Sequence, residues 1–294
     1  VGPWQVPVAD CGVTTLDYEG LKGEAMSMGE RTPVAVIDSA AASRLAIGEA
    51  ITNMAAADAK LPRIKLSANW MAAWGAEGED ARLFDAVKAA SDFSVALGIS
   101  IPVGKDSLSM RTKWEAEGEQ KSVTSPVSLI VSAAAPVEDV SKTLTPELKR
   151  DPASVLVLVD LGAGKNRLGG SILAQVTQRF GDTAPDCENA AELARFFATV
   201  RRLTDSGALL AYHDRSDGGL FATLAEMMFA SRLGVSLNLS SLLEAEGANV
   251  WNVLFNEELG AVLQVRADRV EELVAAMREE GLSHLCHFIG EVTE

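Results

Sequence analysis

The sequence predicts a mixed α/β (α+β) protein in two parts, with a strand-rich N-terminal half and an α/β C-terminal half. Short apolar runs of strand length alternate with longer segments in which apolar residues recur at helical spacing. A polar stretch at residues 137–152 interrupts this alternation. We therefore expect an N-terminal half at residues 1–137, a linker at 138–152 and a C-terminal half at 153–294.

In the N-terminal half, the apolar pattern predicts several strands and two long helices. The strands fall at residues 6–15, 64–69, 99–103 and 127–135, and residues 23–29 form a further strand or a turn. An alanine-rich helix is predicted at 39–57, with Asp38 or Ser39 as its N-cap, and an amphipathic helix at 81–97, ended by Gly98. The segment 104–107 is expected to be a loop, either for phosphate or substrate or as a plain connection.

The C-terminal half alternates strands and helices more regularly. Strands are predicted at 154–161, 207–212, 235–239, 260–265 and 285–292, and helices at 168–180, 190–206, 220–230 and 268–280. The glycine-rich segment 162–170 lacks the third glycine of a dinucleotide fingerprint. It also lacks the Ser or Thr that follows the lysine in a Walker A loop. We therefore expect it to be an ordinary strand-to-helix turn.

Composition narrows the class of partner. The formal net charge of −15 argues against nucleic acid or an anionic membrane as a main partner. It leaves room for a nucleotide, because Mg²⁺ and helix N-termini offset phosphate charge locally. No apolar run reaches transmembrane length, and the three separated cysteines are typical of a reducing compartment, so we expect a cytoplasmic protein. The chain begins at Val1 and not at Met, and we expect it to be a piece of a longer protein.

The first candidate site lies between a buried strand and the helix at 220–230. Asp214, Ser216 and Asp217 stand there, followed by two glycines. Such a turn places hard oxygen ligands beside free backbone N–H groups, which suits Mg²⁺ and phosphate together. The alternative is a structural cap, with Ser216 or Asp217 capping the helix.

Two further polar residues share one face of the alanine-rich helix. Glu49 and Asn53 are four residues apart, with alanines beside them and larger apolar residues on the opposite face. This face is either a metal or ligand face or a solvated surface. Asp10 stands among apolar residues of the first predicted strand, where a charge is costly unless it is paired or coordinated. If Asp10, Glu49, Asn53 and Asp214 converge, their oxygens favour Mg²⁺ or Ca²⁺ over Zn²⁺.

Seven stretches, in order along the chain, resemble one family. They are VADC at 8–11, KGEAMS at 22–27, GEAITN at 48–53, KLSANWM at 65–71, PVGKDSLSM at 102–110, HDRSDGG at 213–219 and FNEELG at 255–260. Together they resemble phosphoribosylformylglycinamidine synthase in its large single-chain form. The resemblance implies the second repeat of a synthetase core, with the two-part fold of aminoimidazole ribonucleotide synthetase.

The same resemblance implies ligands and a reaction. It assigns Mg²⁺ to Asp10, Glu49, Asn53 and Asp214, and nucleotide contacts to Ala9 and Ser216. The complete enzyme would convert formylglycinamide ribonucleotide, ATP and glutamine to formylglycinamidine ribonucleotide, ADP, phosphate and glutamate, as a C–N ligase of purine synthesis. The implied partners are the first repeat and a glutaminase domain. A cut interface to that repeat would expose apolar surface and could drive self-association.

Three functions are consistent with these expectations. The first is an ATP·Mg²⁺-binding part of the synthase, which would be inactive on its own. The second is a structural half whose bound nucleotide stabilises the core without turnover. The third is a stand-alone ATP-dependent synthetase or kinase of the same fold.

Overall fold

Two five-stranded sheets and one buried helix between them define the fold, which we describe from a computed structural model covering residues 5–294. The mixed α/β class predicted from the sequence is confirmed. Within the described residues, no helix combines the length and the apolar composition that a membrane span requires.

The first sheet belongs to the N-terminal half. Its strands, with an additional hairpin formed by β5 and β6, are β1 (Gly12–Thr15), β2 (Gly23–Glu30), β3 (Lys65–Met71), β4 (Ser100–Ser107), β5 (Arg111–Ala116), β6 (Glu119–Thr124) and β7 (Ser128–Val137). The order across the sheet is β1-β2-β7-β3-β4, and only β3 and β4 run parallel. The helices of this half are α1 (Thr32–Ala35), α2 (Ser39–Met54) and α3 (Glu79–Leu97).

The second sheet is antiparallel throughout and belongs to the C-terminal half. Its order is β10-β12-β8-β11-β9, with β8 (Val155–Asp160), β9 (Leu209–Asp214), β10 (Gly234–Leu237), β11 (Gly260–Val265) and β12 (Cys286–Thr293). Its helices are α4 (Ile172–Val176), α5 (Ala190–Asp205), α6 (Gly219–Ser231), α7 (Ser240–Leu243), α8 (Val250–Phe255) and α9 (Val270–Glu279). Every residue of β11 is buried, as expected for a strand near the centre of a covered sheet.

Helix α2 is buried on nearly all sides and joins the two halves. Its first turn is capped by Asp38, whose side chain accepts a hydrogen bond from the Ala41 amide. One face packs on β2, where the Ser27 hydroxyl donates to the Ala50 carbonyl. The other side meets β9, where the Tyr212 hydroxyl donates to the Thr52 carbonyl at 2.7 Å. The larger of two apolar clusters therefore runs through both halves, and the smaller one lies in the C-terminal half.

The polar stretch between the halves lies against this junction. It forms a short 3-10 turn at Val140–Lys142 and no other helix or strand before β8. The Leu144 amide donates to Ala56, just beyond α2, and the Tyr212 amide donates to Thr145. The division into domains at 1–137 and 153–294 stays a prediction.

Several predicted elements differ from the observed ones. The strand expected at 6–15 is confined to β1, because Val8 adopts a φ of +54° and Asp10 lies in a bend. The segment 104–107 is the end of β4 and not a loop. The helix expected at 168–180 is reduced to α4, and the β5–β6 hairpin and helices α7 and α8 were not predicted.

The small-residue face of α2 also differs from the expectation. Ala42 and Ala46 are buried, so these alanines are not solvated, whereas Glu49 and Asn53 on the same face are partly exposed. The alanines allow close approach of β2. A Cβ on Gly29 would overlap the carbonyl oxygen of Ala46 and lie 2.6 Å from the amide nitrogen of Ala50. The alanines therefore serve strand–helix packing.

The close approach of β2 to α2 gives a stability prediction. Gly29→Ala should lower the free energy of unfolding by about 2–3 kcal/mol, because the rigid backbone of α2 must move to admit one methyl group. Gly12→Ala is the matched control, since a Cβ there meets nothing within 4 Å. Chemical denaturation of both variants measures the difference, and equal stability would contradict the packing described.

Candidate metal and nucleotide site

Two carboxylates meet where the bend before β1 reaches the end of β9. Asp214 is the last residue of β9, and Asp10 comes from the bend. The Asp10 Oδ1 accepts hydrogen bonds from the Asp214 amide at 3.0 Å and from His213 Nδ1 at 2.8 Å. One potential ligand atom from each of Asp10, His213 and Asp214 lies within 4.8 Å of the other two.

One oxygen of each carboxylate is buried without a hydrogen-bond partner among residues 5–294. Asp10 Oδ2 and Asp214 Oδ2 are both buried and accept no hydrogen bond from the described residues. Burial raises the pKa of Asp214 well above its usual range, and the charges of Asp10 and Glu49 raise it further. Unpaired buried carboxylate oxygens of this kind are unfavourable unless a cation sits between them. The donor set therefore fits a hard divalent cation.

His213 holds Asp10 in place and is not available as a ligand. Its Nδ1 faces Asp10, and its Nε2 faces the Glu226 carboxylate at 2.7 Å. Burial lowers the pKa of His213, but the charge of Asp10 and the hydrogen bonds to Asp10 and Glu226 raise it to about 10. The ring is therefore an imidazolium with both nitrogens engaged, which orients the carboxylate beside it.

Glu49 lies on α2, close enough to Asp214 for its charge to raise the pKa of that carboxyl, and outside the tight cluster of Asp10, His213 and Asp214. Asn53 lies one turn further along α2. Glu49 Oε2 accepts from the Glu30 amide at 2.9 Å and is 3.5 Å from Arg31 Nε. Burial raises the pKa of Glu49, whereas Arg31 and the Glu30 amide lower it. The Asn53 amide nitrogen donates to the Met28 carbonyl at 2.9 Å, which turns its amide group towards β2.

The loop after β9 is fixed by Arg215. Its guanidinium is fully buried and donates to Asp160 at the end of β8, and to the carbonyl oxygens of Glu258 at 2.7 Å and Leu259 at 3.0 Å. This anchor fixes the chain direction between Asp214 and Ser216, so both residues start from a defined backbone position.

The turn at Gly218 and Gly219 provides neither the free backbone amides nor the side-chain helix cap that the sequence suggested. The N-cap of α6 is Gly218, without a side-chain cap, so the prediction that Ser216 or Asp217 caps the helix was wrong. The Gly218 amide donates to Glu257 and the Gly219 amide to the Ser216 carbonyl, so neither is free for phosphate. Both glycines have positive φ, at +81° and +66°, which favours glycine at these positions. Ser216 itself is half-buried at the start of this loop.

A groove opens beside Asp10 on the outer face of the first sheet. It has a volume of about 780 Å³ and is lined by Ala9, Asp10, Met26, Met28 and Val103 among others. This volume is within the range of about 300–1,000 Å³ that is typical of small-molecule sites. Ala9, expected at a nucleotide contact, therefore borders a space of suitable size.

Sequence reasoning missed three residues that organise this region, namely Arg31, His213 and Glu257. His213 directly precedes Asp214, and Glu257 lies in the FNEELG stretch. Both residues were therefore part of quoted motifs, but no role was predicted for either. Arg31 follows β2 with no motif of its own, and its partners Asp217 and Glu257 are distant in the sequence.

Comparison with known proteins gives two family matches. Residues 1–136 match the FGAR-AT PurM_N-like domain, and residues 152–294 match the AIR synthase related protein, C-terminal domain. Between them the matches leave residues 137–151 uncovered.

Solved structures share the fold at low sequence identity. PurL from Thermotoga maritima complexed with FGAR has a TM-score of 0.72 and 15% identity, over 98% of this chain and 45% of that chain. The same protein complexed with ATP has a TM-score of 0.69 and 15% identity, over 98% and 44%. The tt0281 protein from Thermus thermophilus has a TM-score of 0.61 and 19% identity, over 99% and 89%. The chain thus spans less than half of the PurL chains.

Fold and family matches agree on the class of protein. The molecule has the two-part fold of the AIR synthase related proteins. Residues 1–136 belong to the FGAR-AT PurM_N-like domains and residues 152–294 to the AIR synthase related C-terminal domains, and together they form a PurL-like synthetase core.

The repulsion between buried carboxylates gives a prediction for the metal-free protein. In EDTA, Asp214→Asn should raise the free energy of unfolding by about 1–2 kcal/mol, because it removes a carboxyl group whose pKa is raised by burial and by the charges of Asp10 and Glu49. Glu24→Gln, on the exposed side of β2, is the control and should change little. Urea denaturation measures both. A loss of stability in Asp214→Asn would argue against net repulsion at this site.

Proposed function

We propose that this chain is the second repeat of the synthetase core in a large single-chain phosphoribosylformylglycinamidine synthase. The complete enzyme would make formylglycinamidine ribonucleotide from formylglycinamide ribonucleotide, ATP and glutamine, in the cytoplasm. Family membership over both halves and the 44–45% share of the PurL chains support this proposal. The proposed partners are the first repeat, which completes the core, and a glutaminase domain, which supplies ammonia.

Within that enzyme, we propose that this half binds a magnesium nucleotide. Asp10, Glu49, Asn53 and Asp214 would hold the cation, which neutralises phosphate charge when bound. The observation that carries the proposal is the pair of buried, unpartnered oxygens on Asp10 and Asp214, with Glu49 close enough to raise the pKa of Asp214.

The nucleotide would lie beside this cation site. Ala9 borders the groove of about 780 Å³ that includes Asp10, and Ser216 begins the loop after Asp214. We propose both residues as nucleotide contacts. His213 and Arg215 would position these groups without contacting the nucleotide, because His213 fixes the Asp10 side chain and Arg215 fixes the direction of that loop.

A second candidate function is a structural nucleotide site without turnover. The acidic cluster lies where both halves meet, and Asp10 and Glu49 repel the Asp214 carboxylate in the absence of a cation. A bound magnesium nucleotide would relieve this repulsion and stabilise the junction through binding to the folded state alone. Measuring turnover separately from binding distinguishes the two functions.

The cation site is tested by substitution of Glu49. Glu49→Ala should weaken Mg²⁺-dependent ATP binding by about 100-fold, because a carboxylate ligand is lost from a site with few others. Isothermal titration calorimetry with ATP, in Mg²⁺ and then in EDTA, measures the effect. Glu24→Ala is the control, from the exposed side of β2. Unchanged affinity in Glu49→Ala would remove Glu49 from the site.

Turnover is tested with the isolated chain. Supplied with formylglycinamide ribonucleotide, MgATP and ammonia, the 294-residue chain should form no amidine product, because we propose that the first repeat is also required. Binding of MgATP to the same preparation serves as the control for folding. Measurable formylglycinamidine ribonucleotide by mass spectrometry would contradict the need for the other domains.

A further inference from the structure

We propose that Arg31 is a positioning residue of the cation site. It fixes the position of Glu49, in the N-terminal half, relative to the loop at residues 217–219 in the C-terminal half. The inference rests on the proposed function, because it assigns a role within the same site. It adds a residue that touches neither the cation nor the nucleotide and sets the geometry of the groups that would.

The guanidinium of Arg31 lies between carboxylates from the two halves. Its side chain is 1% exposed and follows directly after β2. Its Nη1 donates to Asp217 Oδ1 at 2.8 Å, and its Nε lies 3.5 Å from Glu49 Oε2. The same Nη1 is 3.8 Å from Glu257 Oε2. Arg31 therefore contacts one carboxylate of α2 and two from the second half.

Glu257 extends this arrangement to the backbone of the loop. Its Oε1 accepts from the Gly218 amide and from the Ile172 amide, each at 2.8 Å, while its Oε2 faces Arg31. The start of α6 and the start of α4 are thus fixed to one carboxylate, and that carboxylate is fixed to Arg31. A movement of Arg31 would be passed to both helices.

The contacts to Glu49 leave a ligand oxygen available. Glu49 Oε2 is occupied by the Glu30 amide and faces Arg31, whereas Oε1 accepts no hydrogen bond within residues 5–294. Asp10 shows the same division, with Oδ1 held by His213 and Asp214 and Oδ2 left without a partner. In both residues, one oxygen is fixed by the protein and the other is left for a cation.

The hydrogen-bonding of Arg31 indicates that adhesion between the halves is not its main role. Its Nε and Nη2 are buried and make no hydrogen bond with the described residues. A buried guanidinium with unused donors is a poor way to join two surfaces. Arg44 illustrates the alternative, because it joins α2 to Asp186 of the other half through two hydrogen bonds, at 2.7 and 2.6 Å.

Charge alone and positioning predict opposite effects of removing Arg31. If Arg31 acted only through its positive charge, its loss would remove repulsion and strengthen Mg²⁺ binding. If Arg31 positions Glu49 and the loop, its loss weakens binding although a positive charge has gone. Arg31→Lys distinguishes these two explanations further, since it keeps the positive charge and loses the planar guanidinium group.

The experiment titrates Mg²⁺ alone into the wild-type chain, Arg31→Met, Arg31→Lys and the control Arg44→Met, and measures binding by calorimetry. We expect both Arg31 variants to bind about 10-fold more weakly or worse. We expect Arg44→Met to stay within about two-fold of the wild type, because the two hydrogen bonds that it removes between the halves lie away from the site. Thermal unfolding in EDTA monitors the folding of each variant.

Each result has a distinct meaning. Equal or tighter binding by Arg31→Met, with normal binding by the wild type, would overturn the positioning role alone. Equal weakening by Arg44→Met would also overturn it, in favour of general adhesion between the halves. No Mg²⁺ binding by the wild type would overturn the proposed function, and this inference with it. If Arg31→Met does not fold, wild-type affinity in Arg31→Lys would be the overturning result.

Discussion

The structure depends on the need to cover one helix on every side. Helix α2 has alanine, glycine and serine where a surface helix would carry charged residues, and its side chains are almost entirely buried. A helix without a polar face is stable only when other elements enclose it. The first sheet covers one side, and β9 with its neighbours covers the other, so the core is complete only when both halves are present.

That enclosure also explains why charged groups occur in the interior. Glu49 is carried into the interior by α2, Asp214 by β9 and Asp10 by the bend that packs beside it. Asp10 and Glu49 each have one oxygen held by a backbone amide and a cationic side chain, which sets the orientation of the carboxylate. Burial and the charges of Asp10 and Glu49 raise the pKa of Asp214. The orientation of the Asp10 and Glu49 carboxylates is therefore fixed, while buried oxygens of Asp10 and Asp214 lack a partner among the described residues. This combination is expected of a preorganised cation site.

The sequence was sufficient for the elements that carry strong local signals. The alanine-rich segment with Asp38 before it marked α2, and the apolar runs marked β8, β9 and β11 to within a few residues. It was insufficient for the orientation of α2, because a helix buried on all sides has no face that spacing can identify. The course of the chain at Asp10 was also missed, since Val8 adopts a positive φ that is uncommon for its residue type and the partners of Asp10 lie on β9, far along the chain.

The sequence was likewise sufficient for some residues of the candidate site and insufficient for others. Carboxylates placed at the end of a strand or on a helix face could be selected as oxygen donors from residue type and spacing. The groups that orient them could not, because His213, Arg31 and Glu257 act through partners far along the chain or on other elements. Ion pairs of this kind have no period in the sequence. The prediction of free backbone amides at this turn was wrong for the same reason, because the Gly218 amide donates to Glu257, which is distant in the sequence.

The bend that carries Asp10 has a practical consequence for work with this protein. Asp10 precedes β1 and contributes to no strand, yet its carboxylate is linked to His213 and Asp214, some two hundred positions along the chain. Trimming by a protease just after this bend would remove the Asp10 carboxylate while both sheets remained intact. Such a preparation would look normal by circular dichroism and by gel filtration. Intact mass should therefore be verified before any lack of cation affinity is attributed to the folded chain.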